Sequence, residues 1–234
     1  MKHTEAIQFF STGNFPCSYL PGRIARNCVI DPAFDMDDAV YSNLLKSGFR
    51  RSGQQVYRPL CLPCTECTST RIPVDLFKPS RSQKRNIKTN QDLTVKVNTT
   101  GYKQEYQPLY DQYLRYRHDN TQSEGVEDFF GSGWCNTHYI EFYEKNELIG
   151  VAVIDVLNTE ISAVYTFFEP EKGSKRSLGT YAVLWQIEYA KNLGKSYVYP
   201  GYWIKECSKM NYKSNFQPIE GYNDGRWLAI EKQF

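Results

Sequence analysis

Three strand-like runs, HYIEFYE (138–144), LIGVAVIDVL (148–157) and ISAVYTFF (161–168), follow one another with only Lys145-Asn146 and Asn158-Thr159 at the turns. Connections that short join antiparallel neighbours, so the second half of this chain is expected to contain a β-meander. SLGTYAVLWQIEYAKNLG (177–194) then reads as a helix, with Ala182, Trp185, Ile187, Tyr189 and Ala190 available to pack and Gly194 as its stop. SYVYPGYWI (196–204) is a further strand, SKMNYKSNF (208–216) a short helix and GRWLAIEKQF (225–234) a closing strand. A meander, a long helix and a closing αβ unit make an α+β layout.

The first half reads differently. MDDAVYSNLLKSG (36–48) is a helix capped by Asp35 or Asp37, FRRSGQQVYRP (49–59) a hairpin around Ser52-Gly53, and TRIPVDLF (70–77) a strand. Ser80 caps a short helix, SRSQKRNIKTN, along which Arg81, Lys84, Arg85 and Lys88 share one face. LTVKVN (93–98) is a strand and YKQEYQPLYDQYLRYRHD (102–119) a helix with Pro108 in its first turn, followed by a loop over Gly125–Gly133. The expected division is a basic N-terminal lobe over 1–100 and a second unit over 101–234.

Charge sharpens that division. The chain carries 28 basic and 26 acidic residues, a net of +2. Between Lys46 and Lys88 stand ten cations against Glu66 and Asp75, so this stretch holds +8 and the rest −6. An imbalance of that size points to a polyanionic partner. No window of 18 apolar residues offers a membrane span, and MKHTEAIQFF lacks the apolar run of a leader, so a soluble cytoplasmic protein without membrane contact is expected. Seven cysteines, an odd number, are then expected to be reduced.

The order of elements in the second half resembles the GNAT-type acyltransferase fold, in which splayed central strands open a cleft beside the long helix. The splay is expected between ISAVYTFF and SYVYPGYWI. Acetyl-CoA-dependent members of that fold carry a turn of the form [RQ]-x-x-G-x-[GA], whose N–H groups meet a pyrophosphate at a helix N-terminus. Here the stretch is Arg176-Ser177-Leu178-Gly179-Thr180-Tyr181, and Tyr181 stands where the backbone would have to approach the phosphates. An activated acyl donor other than CoA that suits a basic lobe is an aminoacyl-tRNA.

CSYLPGR, YSNLLKSGFRRSGQQVYRPLCLPCTECTSTRIPV, FKPSRSQKR, SLGTYAVLWQ and YVYPGYWIKECSKMNYKSNFQPIE together resemble the arginyltransferase family, nearest its bacterial branch, the aspartate/glutamate leucyltransferases. The resemblance runs from about Cys17 to Glu220. It implies an aminoacyltransferase that moves leucine from leucyl-tRNA to the α-amine of proteins beginning with Asp or Glu, marking them for N-degron (N-end rule) degradation in the cytoplasm. Transfer of arginine, CoA-dependent N-acylation and a non-catalytic zinc RNA-binding module are the alternatives.

The activated ester requires no ATP and no nucleophilic triad. An acidic acceptor side chain needs a cation, and Arg50, Arg51, Arg58 and Arg71 are the candidates. Tyr165, Tyr199 and Glu220 are candidate catalytic groups, Phe167 and Trp203 candidate walls of a leucine pocket. Arg81, Lys84, Arg85 and Lys88, with Lys209, Tyr212 and Lys213, are candidate tRNA contacts. No cofactor is required for the transfer. Cys61, Cys64 and Cys67 form a close set that lacks a fourth ligand for zinc, and Cys17 is the candidate to supply it. Eukaryotic relatives link such thiols to iron–sulfur or haem ligation, but Leu20 replaces a second N-terminal cysteine here. Three readings stay open: a metal site, reduced thiols that pack the lobe, and a redox switch.

Overall fold

The computed structural model describes residues 6–118 and 125–231. The strands are β1 (Phe9–Ser11), β2 (Phe15–Pro16), β3 (Ile24–Ala25), β4 (Asn27–Ile30), β5 (Arg50–Ser52), β6 (Gln55–Pro59), β7 (Thr68–Pro73), β8 (Thr94–Asn98), β9 (Thr137–Glu144), β10 (Glu147–Val156), β11 (Glu160–Phe168), β12 (Tyr197–Trp203), β13 (Glu220–Asn223) and β14 (Arg226–Ala229). The helices are α1 (Asp38–Lys46), α2 (Arg81–Thr89), α3 (Tyr106–His118), α4 (Val126–Phe130), α5 (Pro170–Arg176), α6 (Leu178–Asn192) and α7 (Ser208–Asn211), the last running into a 3₁₀ turn at Tyr212–Asn215.

Local chemistry accounts for most of these. Asp37 caps α1 by accepting from the Val40 N–H, and Ser80 with Gln83 forms a reciprocal capping box on α2. The meander forms as its short turns require, with Lys145 at φ 57°. The β5–β6 turn is centred one residue later than expected, because Ser52 pairs with Gln55 and leaves Gly53 and Gln54 between them. Two helices are among the departures from the sequence reading. The Gly125–Gly133 stretch is not all loop, since Val126 and Phe130 bury one face of α4. α5 forms over PEKGSKR because Glu169 caps it and Pro170 opens it. Asp119 and the tail after Glu231 lie outside the described residues.

A mixed sheet of eight strands, ordered β14-β13-β7-β12-β11-β10-β9-β8, organises the molecule. It draws β7 and β8 from before residue 100, so the sheet crosses the boundary expected there. Both faces are covered. Ala152 and Ile154 pack with Leu178, Ala182 and Ile187 of α6, while Val151 and Val153 pack with Leu109 of α3 and Phe130 of α4. Alternation along β10 with both sets apolar is the mark of a strand buried on both sides. A smaller sheet, β1-β4-β6-β5, packs with α1 into a third cluster that takes in Leu157 and Tyr199.

The decisive feature lies between β11 and β12. They pair in parallel only at Glu160↔Tyr197, Ile161↔Val198 and Ser162↔Tyr199, then separate. Both strands bulge at that point. In β11 Val164 is left unmatched against β10. In β12 the register against β7 shifts between Val198 and Gly201, around Pro200, which has no N–H to give. The strands therefore diverge into a V, as the sequence leads one to expect.

Candidate active-site cleft

Opening the V strips carbonyls of their ladder partners, and Arg50 replaces them. Its guanidinium, buried at the start of β5, donates to the Tyr199 carbonyl at 3.0 Å and to the Ala163 carbonyl. The two oxygens belong to the last paired residue of β12 and the first unpaired residue of β11. One side chain thus clasps the V where it opens.

The V holds a cleft of about 610 Å³, bordered by Ala163–Thr166 of β11, Pro200–Tyr202 around the β12 bulge, and Thr180, Val183 and Gln186 of α6. Tyr113 and Arg117 of α3, Phe129, Phe168, and the Ser18-Tyr19 segment beside Cys17 complete its walls. Lys209, Met210, Tyr212 and Lys213 close another side. Glycine matters at one position here: a Cβ on Gly173 would stand 2.2 Å from the Phe168 ring, so this close approach lets α5 lie against the cleft wall.

The electrostatics are one-sided. Arg50, Arg51, Arg117, Lys209 and Lys213 border the cleft, and among the described residues no Asp or Glu does. Lys213 is 4% exposed, and its Nζ donates to the Tyr202 carbonyl at 2.8 Å and lies 3.3 Å from Met210 Sδ. Burial first, then the Arg50 cation, pushes its amine down to about 7. The Tyr165 hydroxyl is pushed well up, chiefly by burial, and stays protonated.

The structure separates the candidate residues sharply. Arg50, Tyr165, Lys209, Tyr212 and Lys213 come together at the cleft. Lys213, expected as a tRNA contact, is buried at the cleft; Lys209 is exposed at the rim and donates to the Arg117 carbonyl. Arg51 borders the cleft, but its guanidinium is engaged elsewhere: Nε donates to Asp155 at 2.6 Å, Nη1 to the Gly53 carbonyl and Nη2 to the Phe130 carbonyl. It is a structural ion pair, because neighbours on a strand face opposite ways. Arg58 lies over the Phe49 ring at 4.9 Å. Arg71 sits between the rings of Tyr197 and Trp227 and pairs with Glu220 at 2.6 Å, which removes both Arg71 and Glu220 from the cleft lining. Tyr199 is fully buried against Trp227. Phe167 is fully buried in a stack with Phe130. Trp203 donates to the Asn211 carbonyl. None of these three lines the cleft.

Arg81, Lys84, Arg85 and Lys88 are exposed on the outer side of α2. Its inner side is tied to the cleft's surroundings: Gln83 donates to the Asn215 carbonyl, and Asn86 to the Arg176 carbonyl at the turn into α6. The basic face therefore stands beside the cleft. Sequence reasoning missed Arg117, Tyr113 and Gln186. Their available signals were the basic end of YLRYRH and a glutamine on the apolar side of α6.

All seven cysteines are free. Cys17 and Cys67 pack with Leu20, Ile204 and Cys207. Burial, then the nearby Cys61, Cys17 and Cys64 thiols, push the Cys67 thiol up to about 12. The Cys61 thiol turns to the Arg26 carbonyl, and Arg23 donates to Cys64 Sγ at 3.3 Å. Among the described residues no group of three or more His, Cys, Asp or Glu side chains is disposed to hold a metal ion.

Residues 15–85 match the sequence profile of the arginine-tRNA-protein transferase N terminus, and residues 104–223 match that of its C terminus. The chain belongs to the arginine-tRNA-protein transferase family. Relatives of this transferase include an aspartate/glutamate leucyltransferase of Nitrosococcus oceani, 46% identical over 97% of this chain and 97% of that protein. Another, with the same description, from Saccharophagus degradans, is 45% identical over 98% of this chain and 100% of that one. Among solved structures, FemX aligns over 84% of this chain and 79% of its own, with 8% identity and a TM-score of 0.46. The C-terminal domain of a lysylphosphatidylglycerol synthetase from Agrobacterium fabrum gives 12% identity and 0.45, over 71% and 51%. The enzyme is an aminoacyl-tRNA-protein transferase.

Proposed function

We propose that this transferase moves leucine from leucyl-tRNA to the α-amine of proteins beginning with Asp or Glu, in the N-degron pathway, on a GNAT-like scaffold whose splayed strands form the reaction chamber. The observation that carries the reading is the cleft's charge: among the described residues cations border it and no carboxylate does. An acidic acceptor side chain meets attraction there and no repulsion. The curated relatives are named for the same specificity over nearly their whole length.

The acceptor amine attacks the ester carbonyl carbon, and collapse of the tetrahedral intermediate breaks the bond to the terminal ribose oxygen, which takes up a proton as the amine loses one. Much of the acceleration comes from holding amine and ester together. The protonated Tyr165 hydroxyl is the donor assigned to the developing oxyanion. With no carboxylate bordering the cleft among the described residues, Lys213 is the group assigned to take the amine's proton, since its own amine titrates near neutrality. Arg50 and the rim cations Arg117 and Lys209 are the groups for the acceptor's carboxylate. The exposed face of α2 takes tRNA phosphates, and the first turn of α6, open to the cleft at Leu178–Thr180, suits the phosphate nearest the acyl end.

CoA has less support as the donor. Arg176, which would greet its pyrophosphate, already pairs with both Asp92 and Glu144, and Tyr181 is packed against Phe142. No step runs through the cysteines. Among the described residues no helix is long and apolar enough to cross a membrane; a cytoplasmic location, where charged tRNA resides, follows from the reaction.

The test is mass spectrometry of a peptide beginning with Asp after incubation with charged tRNA. A gain of one leucine from leucyl-tRNA is expected. A gain only from arginyl-tRNA reassigns the donor, and no gain from either overturns the proposal.

A further inference from the structure

Every buried side chain of α6 is apolar except one. Leu178, Ala182, Val183, Leu184, Ile187 and Ala190 share the inner side with Gln186. Gln186 is 0% exposed, yet among the described residues neither its Oε1 nor its Nε2 has a hydrogen-bond partner. It borders the cleft one helical turn after Val183. A buried amide that leaves both a donor and an acceptor unmet is costly, whereas methionine of the same shape would remove the cost. An amide kept there awaits a molecule.

That molecule must accept one hydrogen bond and donate another within the span of a single carboxamide. A phosphate or an ionised acidic side chain only accepts, and a leucine side chain does neither. An α-aminoacyl ester does both, through its amine N–H and the adjacent carbonyl. The surroundings favour the donor's acyl group over the acceptor's terminus. Val183, Leu178, Phe168 and Ala163 give the Gln186 side of the cleft an apolar lining suited to leucine. The rim cations an acidic residue needs, Arg117 and Lys209, come from α3 and α7.

We propose that Gln186 reads the free α-amine and ester carbonyl of the donor aminoacyl group and so determines which acylated tRNA is used. The inference rests on the reaction proposed above and deepens it: the substrate class is an unblocked α-aminoacyl ester. Oε1 accepts from the amine and Nε2 donates to the carbonyl. A donor whose amine is absent leaves Oε1 without that N–H and is rejected, and an acetylated amine keeps one N–H but brings an acyl group that the buried amide leaves no room for.

The experiment compares leucyl-tRNA with N-acetyl-leucyl-tRNA and with the deaminated 2-hydroxyisocaproyl-tRNA, scoring transfer to an Asp-initiated peptide by mass. Wild type is expected to prefer leucyl-tRNA by roughly ten- to hundredfold. Gln186→Met is expected to melt no lower than wild type, to lose leucyl transfer and to bring the three donors within about twofold of each other. Gln186→Glu keeps the acceptor atom and is expected to retain part of the preference. Wild type using all three donors equally overturns the proposal without any variant. So does Gln186→Met with full rate and full preference, which would leave a buried water as the amide's partner. Absence of any leucine gain in wild type overturns the reaction itself, and is told apart by its failure with leucyl-tRNA.

Discussion

The two sides of the β5–β7–β12 region treat cations in opposite ways. On one side three guanidiniums that turn away from the cleft have carboxylates: Arg51 has Asp155, Arg71 has Glu220, and Arg176 has Asp92 and Glu144. In the cleft Arg50 and Lys213 are buried with main-chain carbonyls for company. The contrast is sharpest at adjacent residues, since Arg50 and Arg51 have the same side chain and nearly the same burial. The paired cations are complete and hold the fold. The cleft cations keep unbalanced charge, which is what an anionic substrate requires.

The contrast is open to attack, beginning with the largest effect. Arg51→Met leaves Asp155 buried without its counter-ion, the Thr137 hydroxyl remaining as a neutral donor, so unfolding in denaturant is expected to show a loss of about 3–5 kcal/mol. Arg51→Met with Asp155→Leu should recover most of it, because an apolar pair replaces an ionic one. Arg50→Met orphans two carbonyls and is expected to cost about 2 kcal/mol, together with most of the transfer activity. No second mutation rescues it, since its partners are backbone. A rescuing change anywhere on β11 or β12 would break the distinction.

Lys213→Met tests the other buried cation through pH. The folded-state amine sits near 7, below its unfolded value of about 10.4. Between those values the unfolded chain binds the extra proton, so this group makes stability rise with pH from about 7, and its cost is complete below that. The stability difference between Lys213→Met and wild type should therefore be largest in favour of the variant below pH 7 and shrink as pH rises. The wild-type transfer rate should climb through about pH 7, and the variant should lack that limb. A pH-independent difference would place the charge of Lys213 outside the site. Arg71→Lys closes the series. It weakens a stack and a partly buried pair, costing about 0.5–1 kcal/mol in thermal melts, with transfer unchanged. Lost transfer would return Arg71 to the acceptor site.

Much of the scaffold was legible where periodicity and short turns fix neighbours: the meander, α6 and the capped α1 and α2. The place of β7 between β12 and β13 was not, because that pairing joins residues more than 120 positions apart, as Ile72↔Val198 shows. α5 reads as a polar turn until Glu169 and Pro170 are recognised as its start. The position of the cleft followed from the order of elements, but its occupants did not. A strand pattern cannot say which of Arg50 and Arg51 looks inward, and Tyr199 looks like a cleft residue until the bulge at Pro200 turns it into the core beside Trp227. Gln186 was hidden by its helix, being one polar letter in an apolar stripe.

The Arg50 clasp grips oxygens that every amino acid possesses. The jaws can consequently drift in sequence along their whole length while their gape stays constant, so a lineage is free to retune which residue it attaches without first rebuilding the vice that holds it.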